Sequence, residues 1–299
     1  MVKKFMSMRL SIITINYNNA EGLRKTLASV AAQTYPHVEH IIVDGGSSDE
    51  SIEVIREYEQ QLHLTHSTIH LLWSSEKDQG IYNAINKGVK RATGDYIQIL
   101  NSGDILASND VTARMVAVLN SLNINSLNIT EKVPIFYGNM LKSYDGKKII
   151  RDTCGNGMYT PESFLYFYKG TLNHDCAYIR RDLFEKFGLY NEEMKICSDW
   201  EWYVRAIVLG NTRAIYTDID VTVFDMNGIS ESGGKNAELI KKERREYLEK
   251  ILPPAVLHDY DAFSFPIEQY QRLTKYHLWG LVWFAERVLF KLEKWRILR

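Results

Sequence analysis

The chain has 299 residues, of which 45% are hydrophobic and 24% are charged. This composition supplies enough apolar side chains for a large packed core and is not typical of a disordered protein. Lys and Arg total 36 against 37 for Asp and Glu, and this balance argues against a dedicated nucleic-acid binder, which would carry a basic excess.

The first hundred residues alternate between short apolar runs and segments with helical spacing. Strands are predicted over 10–15, 38–43, 69–73 and 96–100, with helices between them over 21–32, 51–58 and 81–92. Ser47 to Glu50 reads as a capping box at the start of the second helix. The alternation predicts a parallel sheet covered by helices, whose ligands bind beyond the carboxyl ends of the strands.

The middle of the chain is less regular. A hairpin is predicted over 134–141 and 147–151, joined through Asp145-Gly146, and a loop region follows over 154–172. Further helices are predicted over 183–187 and 199–209, and further strands over 212–216 and 221–224.

The character of the sequence changes after Asn227-Gly228. A charged helix is predicted over 237–251 and ends before Pro253-Pro254, and an aromatic-rich helical segment follows over 266–299. We therefore expect a domain of residues 1–230 and a C-terminal helical extension of residues 231–299.

The three cysteines, Cys154, Cys176 and Cys197, show no C-x-x-C spacing, so neither a disulfide framework nor a zinc site is predicted. This favours a reducing compartment such as the cytoplasm. The N-terminus lacks the apolar region and cleavage site of a signal peptide. No stretch reaches the roughly 20 apolar residues of a membrane-spanning helix, so we expect a soluble or membrane-peripheral protein.

Polar side chains follow the ends of the predicted strands. Asn16 and Tyr17 follow the first strand, Asp44 ends the second, and Asp104 follows the fourth. Taken alone, Asp44 is more typical of a turn than of a ligand site, and Asp104 is as typical of a helix N-terminal charge as of a metal ligand. The first strand is not followed by G-x-G-x-x-G, which argues against a dinucleotide site.

Two helices carry further candidates. The third strand leads into Asp78 and a helix with Asn86 and Lys87. Lys87 could bind a diphosphate, and the alternative is an ordinary solvated charge on the surface. Asp199 begins a later helix. From its position alone it is typical of a negative charge at a helix N-terminus, next to the packing residue Trp200.

Together these residues form five ordered motifs that resemble family 2 of the inverting glycosyltransferases. The motifs are Asn16-Tyr17-Asn18, Ser29-Val30 with Gln33-Thr34-Tyr35, Asp44 to Asp49, Asp78 to Gly88, and Leu100 to Asp104. The resemblance covers roughly residues 8–230 and is nearest to bacterial enzymes of exopolysaccharide, capsule or lipopolysaccharide synthesis. It implies a GT-A fold, a Rossmann-like α/β architecture with a mixed, mostly parallel sheet flanked by helices, and a UDP- or GDP-linked sugar donor.

The resemblance also implies roles for individual residues. Asp199 holds the place of the catalytic base, although Ser198 stands where the family often has Glu. Asp104 matches the last acidic position of a D-x-D type motif and would bind Mg²⁺ or Mn²⁺, whereas Asn101 and Gly103 replace the other acidic positions. The residues implied in donor binding are Thr14, Asn16, Tyr17, Asp44, Asp78, Asn86 and Lys87. Those expected near a saccharide or lipid-linked acceptor are His174 and Trp200, with Tyr159 and Tyr166 as further stacking candidates.

Two other functions stay open at this stage. A non-catalytic sugar-nucleotide-binding or scaffold protein is compatible with the substitutions at Asn101 and Gly103. A nucleotidyltransferase would ordinarily carry a glycine-rich, basic phosphate loop near the N-terminus, which residues 16–19 do not supply.

The C-terminal end combines basic and apolar side chains. Over residues 286–299, five basic residues (Arg287, Lys291, Lys294, Arg296 and Arg299) face two acidic ones (Glu286 and Glu293). A basic amphipathic helix with Trp295 is typical of segments that lie on anionic membranes, which here would be the inner face of the cytoplasmic membrane. Packing against the catalytic domain or against a second copy in a homodimer is the alternative.

Overall fold

The computed structural model describes residues 8–125, 133–144, 148–153, 160–225, 236–276 and 278–294. It divides into two compact units, residues 1–246 and 247–299. The division falls after Glu246, so the first ten residues of the helix predicted over 237–251 belong to the larger unit. The boundary expected near residue 230 lies outside the described residues.

One sheet forms the centre of the larger unit. Its strands in the described residues are β1 Leu10–Asn16, β2 Val38–Asp44, β3 His70–Ser75, β4 Tyr96–Ile99, β5 Ile105–Leu106, β6 Ile135–Tyr144, β7 Lys148–Asp152, β8 Ala177–Arg180 and β9 Ala214–Asp225. The order is β3-β2-β1-β4-β8-β6-β9-β5, and β7 pairs with β6. Strands β3, β2, β1 and β4 are parallel, whereas β8 is antiparallel to both β4 and β6. The predicted mixed sheet is confirmed.

Helices cover this sheet. Those described in the larger unit are α1 Ala20–Ala31, α2 Ser51–Leu64, α3 Ile81–Arg91, α4 Val111–Asn125, α5 Phe164–Lys169, α6 Asp182–Phe187 and α7 Ser198–Tyr203, which continues as a π-helical turn over Val204–Leu209. α1 and α2 pack their apolar faces together over β2, with Leu27, Ile55 and Ile42 in one buried cluster. Such burial of a helix's apolar stripe on a sheet is the main source of stability in this architecture.

Helix α8 (Ala237–Ile251) follows, and the smaller unit contains α9 Pro254–Lys275 and α10 Trp279–Lys294. The predicted C-terminal helical region is confirmed, although Pro266 lies inside α9 rather than at a helix start. Within the described part of the chain, no helix has both the length and the apolar character needed to cross a bilayer.

Several local features differ from the sequence predictions. The capping box does not form, because Ser47 Oγ donates to Asp44 Oδ1 at 2.6 Å instead of capping α2. The strands predicted over 212–216 and 221–224 are one strand, β9, which stays paired with β6 through a shift of register around Gly138. Glycine is required there, since a Cβ would overlap the Ile219 carbonyl oxygen. Part of the predicted loop over 154–172 is helix α5, and the sequence analysis did not identify α4, β5 or β8.

The predicted hairpin is confirmed as the antiparallel pair β6 and β7, while its turn residues Asp145-Gly146 lie outside the described residues.

The strands of the parallel part of the sheet end side by side. Asn16, the last residue of β1, lies directly opposite Asp44, the last residue of β2. Leu100, just after β4, bonds to the main chain of β1. The carboxyl ends of β1, β2 and β4 therefore meet at one edge, where the candidate site lies.

Candidate active site

Asp44 is the hydrogen-bonding centre of the first part of this edge. Its fully buried carboxylate accepts bonds from the Asn16 amide at 2.8 Å, from the Ser75 hydroxyl at 2.7 Å, from the Ser47 hydroxyl and N–H, and from the Gly46 N–H. Burial alone would raise the pKa of Asp44, but the bonds from Ser47, Ser75 and Asn16 lower it. The charged carboxylate thus organises the loop after β2, and a bond from Asp44 to a base edge stays a prediction.

Gly45 brings two other predicted donor residues together. A Cβ at position 45 would overlap the Asp78 carboxylate and approach the Tyr17 ring to 3.2 Å. The Tyr17 side chain is 64% exposed, so its ring has a free face at this point. Glycine at position 45 therefore lets the Asp78 carboxylate and the Tyr17 ring pack against the main chain after β2.

Three predicted donor residues are engaged by the protein itself. Thr14 is buried inside the sheet and shares a bond of 3.0 Å with His40 Nε2. The buried Asn86 amide bonds to the main chain of Tyr190 and to Glu192, so it ties α3 to the segment before α7. Lys87 Nζ pairs with Glu76 at 2.9 Å. Ligand contacts from Thr14 or Asn86 would require these buried bonds to be given up, and the donor-binding roles of all three residues stay predictions.

The loop after β4 is held by Thr26 of α1. The Thr26 hydroxyl donates to the Asp104 carbonyl at 2.7 Å and accepts from the Gly103 N–H at 2.9 Å. Gly103 has a φ of +109°, a conformation that side chains with a Cβ rarely adopt, and a Cβ there would meet only Asn19. The loop therefore buries Asp104, while the Cβ side of Gly103 borders only the Asn19 amide.

Asp199, the predicted base, lies in a polar cluster formed by α3, α7 and the turn before β8. Its Oδ1 accepts from the Tyr82 hydroxyl at 3.1 Å, and its Oδ2 pairs with His174 Nδ1 at 3.3 Å. The other ring nitrogen of His174 lies 3.0 Å from the Asn101 amide. The structure thus connects Asp199 through His174 to Asn101, in the loop that carries Asp104.

The charges of this cluster are mutually stabilised. Burial alone would lower the pKa of His174, but Asp199 in contact and the nearby Asp175 and Asp104 raise it to about 9. Burial alone would raise the pKa of Asp199, but the His174 hydrogen bond and charge lower it. At neutral pH the site therefore contains an imidazolium and a carboxylate. Each carboxylate oxygen has a second lone pair, so Asp199 can still accept a bond from a substrate.

Trp200 does not reach the site as predicted. Its ring is 1% exposed, its N–H donates to the Phe167 carbonyl at 2.7 Å, and the Arg244 guanidinium covers one face. A buried ring cannot stack on a sugar, so we correct the acceptor-binding prediction for Trp200. Tyr166 is half-buried and donates to the Thr171 carbonyl, while Tyr159 lies outside the described residues.

The structure also reveals residues that sequence reasoning missed. Tyr82 lies within the Asp78 to Gly88 motif, but an aromatic residue at a helix start gives no local sign that it contacts a carboxylate 117 residues later. Glu243, which contacts the main chain before Asp199, was read only as part of a charged helix. Glu201, two positions after Asp199 on the same helix, pairs with Arg205 at 2.9 Å instead of joining the Asp199 cluster.

Comparison with known proteins is consistent with this arrangement. A profile of the family described as Glycosyl transferase family 2 matches residues 11–188. The PGL/p-HBAD biosynthesis glycosyltransferase of Mycobacterium bovis (strain BCG / Pasteur 1173P2) is 29% identical over 235 residues, which cover 78% of this chain and 81% of that protein.

Solved structures share the fold. S. aureus TarS 1–349 in complex with UDP-GlcNAc superposes with a TM-score of 0.61 and 17% identity, over 83% of this chain and 69% of that one. The mannosyltransferase PcManGT from Pyrobaculum calidifontis, in complex with GDP-Man and Mn²⁺, gives 0.57 and 20% identity, over 87% and 70%. In a longer TarS structure this chain spans 41% of the length. These similarities establish the GT-A fold.

Proposed function

The chain belongs to glycosyl transferase family 2, and on that premise we propose that it transfers a sugar from a nucleoside-diphosphate sugar to a hydroxyl group of a saccharide or lipid-linked acceptor, with inversion at the anomeric carbon. The observation that carries this proposal is the charged pair of Asp199 and His174 at the edge where β1, β2 and β4 end. Synthesis of a surface polysaccharide or glycolipid is the wider role, supported by the mycobacterial relative described above.

In the proposed reaction Asp199 is the general base. It takes the proton of the acceptor hydroxyl as the oxygen attacks the anomeric carbon, and the bond from that carbon to the diphosphate oxygen breaks. The nucleoside diphosphate leaves with the electron pair, so a single displacement inverts the configuration. Tyr82 and His174 hold the carboxylate in place, and its lowered pKa keeps it ionised at neutral pH.

A divalent cation is part of the proposal, and its place would be the loop after β4. Among the described residues, no three His, Cys, Asp or Glu side chains form a group that could hold a metal. Mg²⁺ ordinarily takes only one or two protein carboxylates and keeps waters or phosphate oxygens as its other ligands, so the Asp104 carboxylate would serve as the protein ligand. The cation would neutralise charge on the departing diphosphate.

The donor is assigned to the surface bordered by Tyr17, Gly45 and Asp78. The exposed Tyr17 ring would stack on the base, and Asp78, which lies against Gly45 beside that ring, would bond to the nucleoside. The solved structures that share this fold are complexes with UDP-GlcNAc and with GDP-Man, which supports a nucleotide-sugar donor of either kind.

Release of nucleoside diphosphate from a panel of UDP- and GDP-sugars, with simple glycosides as acceptors and with or without Mn²⁺, tests the proposal. We expect one donor to be turned over faster with Mn²⁺, and the Asp104→Ala variant to lose most of that dependence. A donor that binds in calorimetry without turnover would favour the non-catalytic alternative. An unchanged response of the variant to Mn²⁺ would exclude Asp104 as the ligand.

The smaller unit supports a second part of the proposal, contact with an anionic membrane. Helix α10 exposes large apolar side chains over most of its length: Leu281 (64%), Trp283 (58%), Phe284 (65%), Leu289 (49%) and Phe290 (67%). Exposure of this many large apolar side chains on one helix favours contact with another apolar surface. Arg287 stacks on the Trp283 ring at 4.2 Å, and together with Lys291 it places basic groups among these apolar side chains, as is typical of segments that lie among acidic headgroups.

Flotation of the whole chain with vesicles distinguishes membrane contact from packing on the catalytic domain or on a second copy. We expect flotation with phosphatidylglycerol-containing vesicles, and a loss of at least about fivefold in the bound fraction for Arg287→Glu/Lys291→Glu, since each basic group near an anionic surface contributes about 1 kcal/mol. The matched control is Lys25→Glu/Arg56→Glu, which changes two exposed charges of the larger unit. Equal failure to float, with a dimer in solution, would assign α10 to self-association.

A further inference from the structure

Glu243 of α8 binds the main chain that leads to Asp199. Its Oε1 accepts the Lys195 N–H at 2.7 Å, and its Oε2 accepts the N–H groups of Ile196 at 3.1 Å and Cys197 at 3.0 Å. The carboxylate is 9% exposed, so these bonds are shielded from water. Three successive N–H groups on one buried carboxylate form a compact, charge-assisted clamp.

The opposite side of the same loop is held by α3. The Tyr82 hydroxyl shares its one proton between the Ile196 carbonyl and Asp199 Oδ1, which lies 3.1 Å away. Helix α7 begins at Ser198, directly after the clamped residues, and Asp199 is its second residue. Movement of residues 195–197 would therefore move the carboxylate away from Tyr82 and His174.

Two further contacts join α8 to this region. The Arg244 guanidinium lies 5.1 Å from the centre of the Trp200 ring, next to Asp199 in the chain. The Cys197 thiol points to the Ile240 carbonyl at 3.7 Å. Consecutive turns of α8 thus contact residues on both sides of Asp199. The helix therefore does more than cover apolar surface.

We infer that Glu243 is a positioning residue for the proposed transfer, and that α8 belongs to the active-site structure although it lies beyond residues 11–188 that match the family profile. The expected effect on catalysis rests on the proposed function. The structural part does not: the Glu243 carboxylate fixes the position of residues 195–197, which lead to Asp199. Loss of the carboxylate leaves three N–H groups without their acceptor, which favours rearrangement of the loop. Displacement of a catalytic group by about 1 Å costs up to a hundredfold in rate.

The test compares Glu243→Ala and Glu243→Gln in the full-length chain. For Glu243→Ala we expect kcat to fall by about tenfold to a hundredfold, with the donor Kd unchanged within about threefold because the donor surface is built by other loops. Glu243→Gln should recover part of kcat, since its amide oxygen still accepts from one or two N–H groups. Glu246→Ala, on the exposed side of the same helix, is the matched control and should keep full kcat.

Stability must be separated from positioning. Val54→Ala removes methyl groups from the distant cluster of α1 and α2, and it serves as a variant destabilised to a similar extent without contact to α7. If Glu243→Ala and Val54→Ala lose the same kcat when assayed well below their melting temperatures, the positioning role is overturned.

Hydrogen exchange gives a readout that does not depend on the proposed function. Protection of the 195–197 amides should fall by at least about tenfold in Glu243→Ala and stay unchanged in Glu246→Ala. Unchanged protection would refute the clamp. If no donor is turned over by the wild type while the clamp is lost in the variant, the proposed function fails and the clamp stands.

Discussion

Asp199→Asn is expected to abolish sugar transfer while donor binding is preserved. General-base catalysis contributes about a hundredfold to ten-thousandfold, and an amide in place of the carboxylate cannot accept the proton of the acceptor hydroxyl. Asparagine has the same shape, and the donor surface at Tyr17 and Gly45 does not contact Asp199, so the donor Kd should stay within about twofold. Single-turnover transfer and calorimetry with the donor measure the two effects separately.

Glu201, two residues after Asp199 on α7, offers the control for this experiment. Glu201→Gln makes the same chemical change two residues away, at a buried carboxylate that pairs with Arg205 instead of facing the site. It should keep turnover within about threefold and lower stability, because a guanidinium loses its charged partner. Asp199→Asn with more than a third of wild-type kcat would remove Asp199 from the role of base.

Much of the architecture could be predicted from local patterns. The alternation of apolar runs and helical spacing located β1 to β4 and α1 to α3, since the strands are short continuous apolar runs and each helix buries one apolar stripe. Helix α4 was missed, because it is apolar with no clear polar face, so its periodicity is weak. The two-residue strand β5 is too short to give a pattern.

The candidate site was predictable only where a motif placed a residue at a strand end. Asn16 and Asp44 are adjacent because parallel strands bring their carboxyl ends together. The partners of Asp199 could not be found in this way, since Tyr82 and His174 are 117 and 25 positions distant and meet it only through the packing of three elements. The clamp by Glu243 is of the same kind, because a charged residue on an amphipathic helix gives no sign that it accepts main-chain bonds.

His174 is the residue on which the pH behaviour of the site depends. With its pKa raised to about 9 by Asp199, Asp175 and Asp104, against its ordinary value of 6.5, the ring is charged in the folded protein at neutral pH. A charged imidazole donates from both nitrogens. The Asn101 amide oxygen, which is buried without a bond in its present orientation, is the suitable acceptor for Nε2. A half-turn of that amide completes a chain from Asn101 through His174 to Asp199.

The sign of the effect on stability follows from this pKa. Because the folded state favours the charged ring, the stabilisation is complete below pH 6.5, declines as the pH rises, and is lost above about 9. His40 behaves in the opposite sense, since burial lowers its pKa to about 3 and the folded state loses stability below pH 6.5. The two histidines therefore act in separate pH ranges.

The variant His174→Gln should consequently lose stability most at pH 6 and least at pH 9.5. The difference in unfolding free energy from wild type is expected to shrink by about 3 kcal/mol over that range, measured by urea unfolding with a chelator present. The variant should also lose kcat by about tenfold to a hundredfold at pH 6. Without His174, burial raises the pKa of Asp199, so that the acid limb of the rate profile shifts upward and the loss becomes smaller at pH 8. A loss of kcat that is equal at both pH values would show that His174 does not control the ionisation of Asp199.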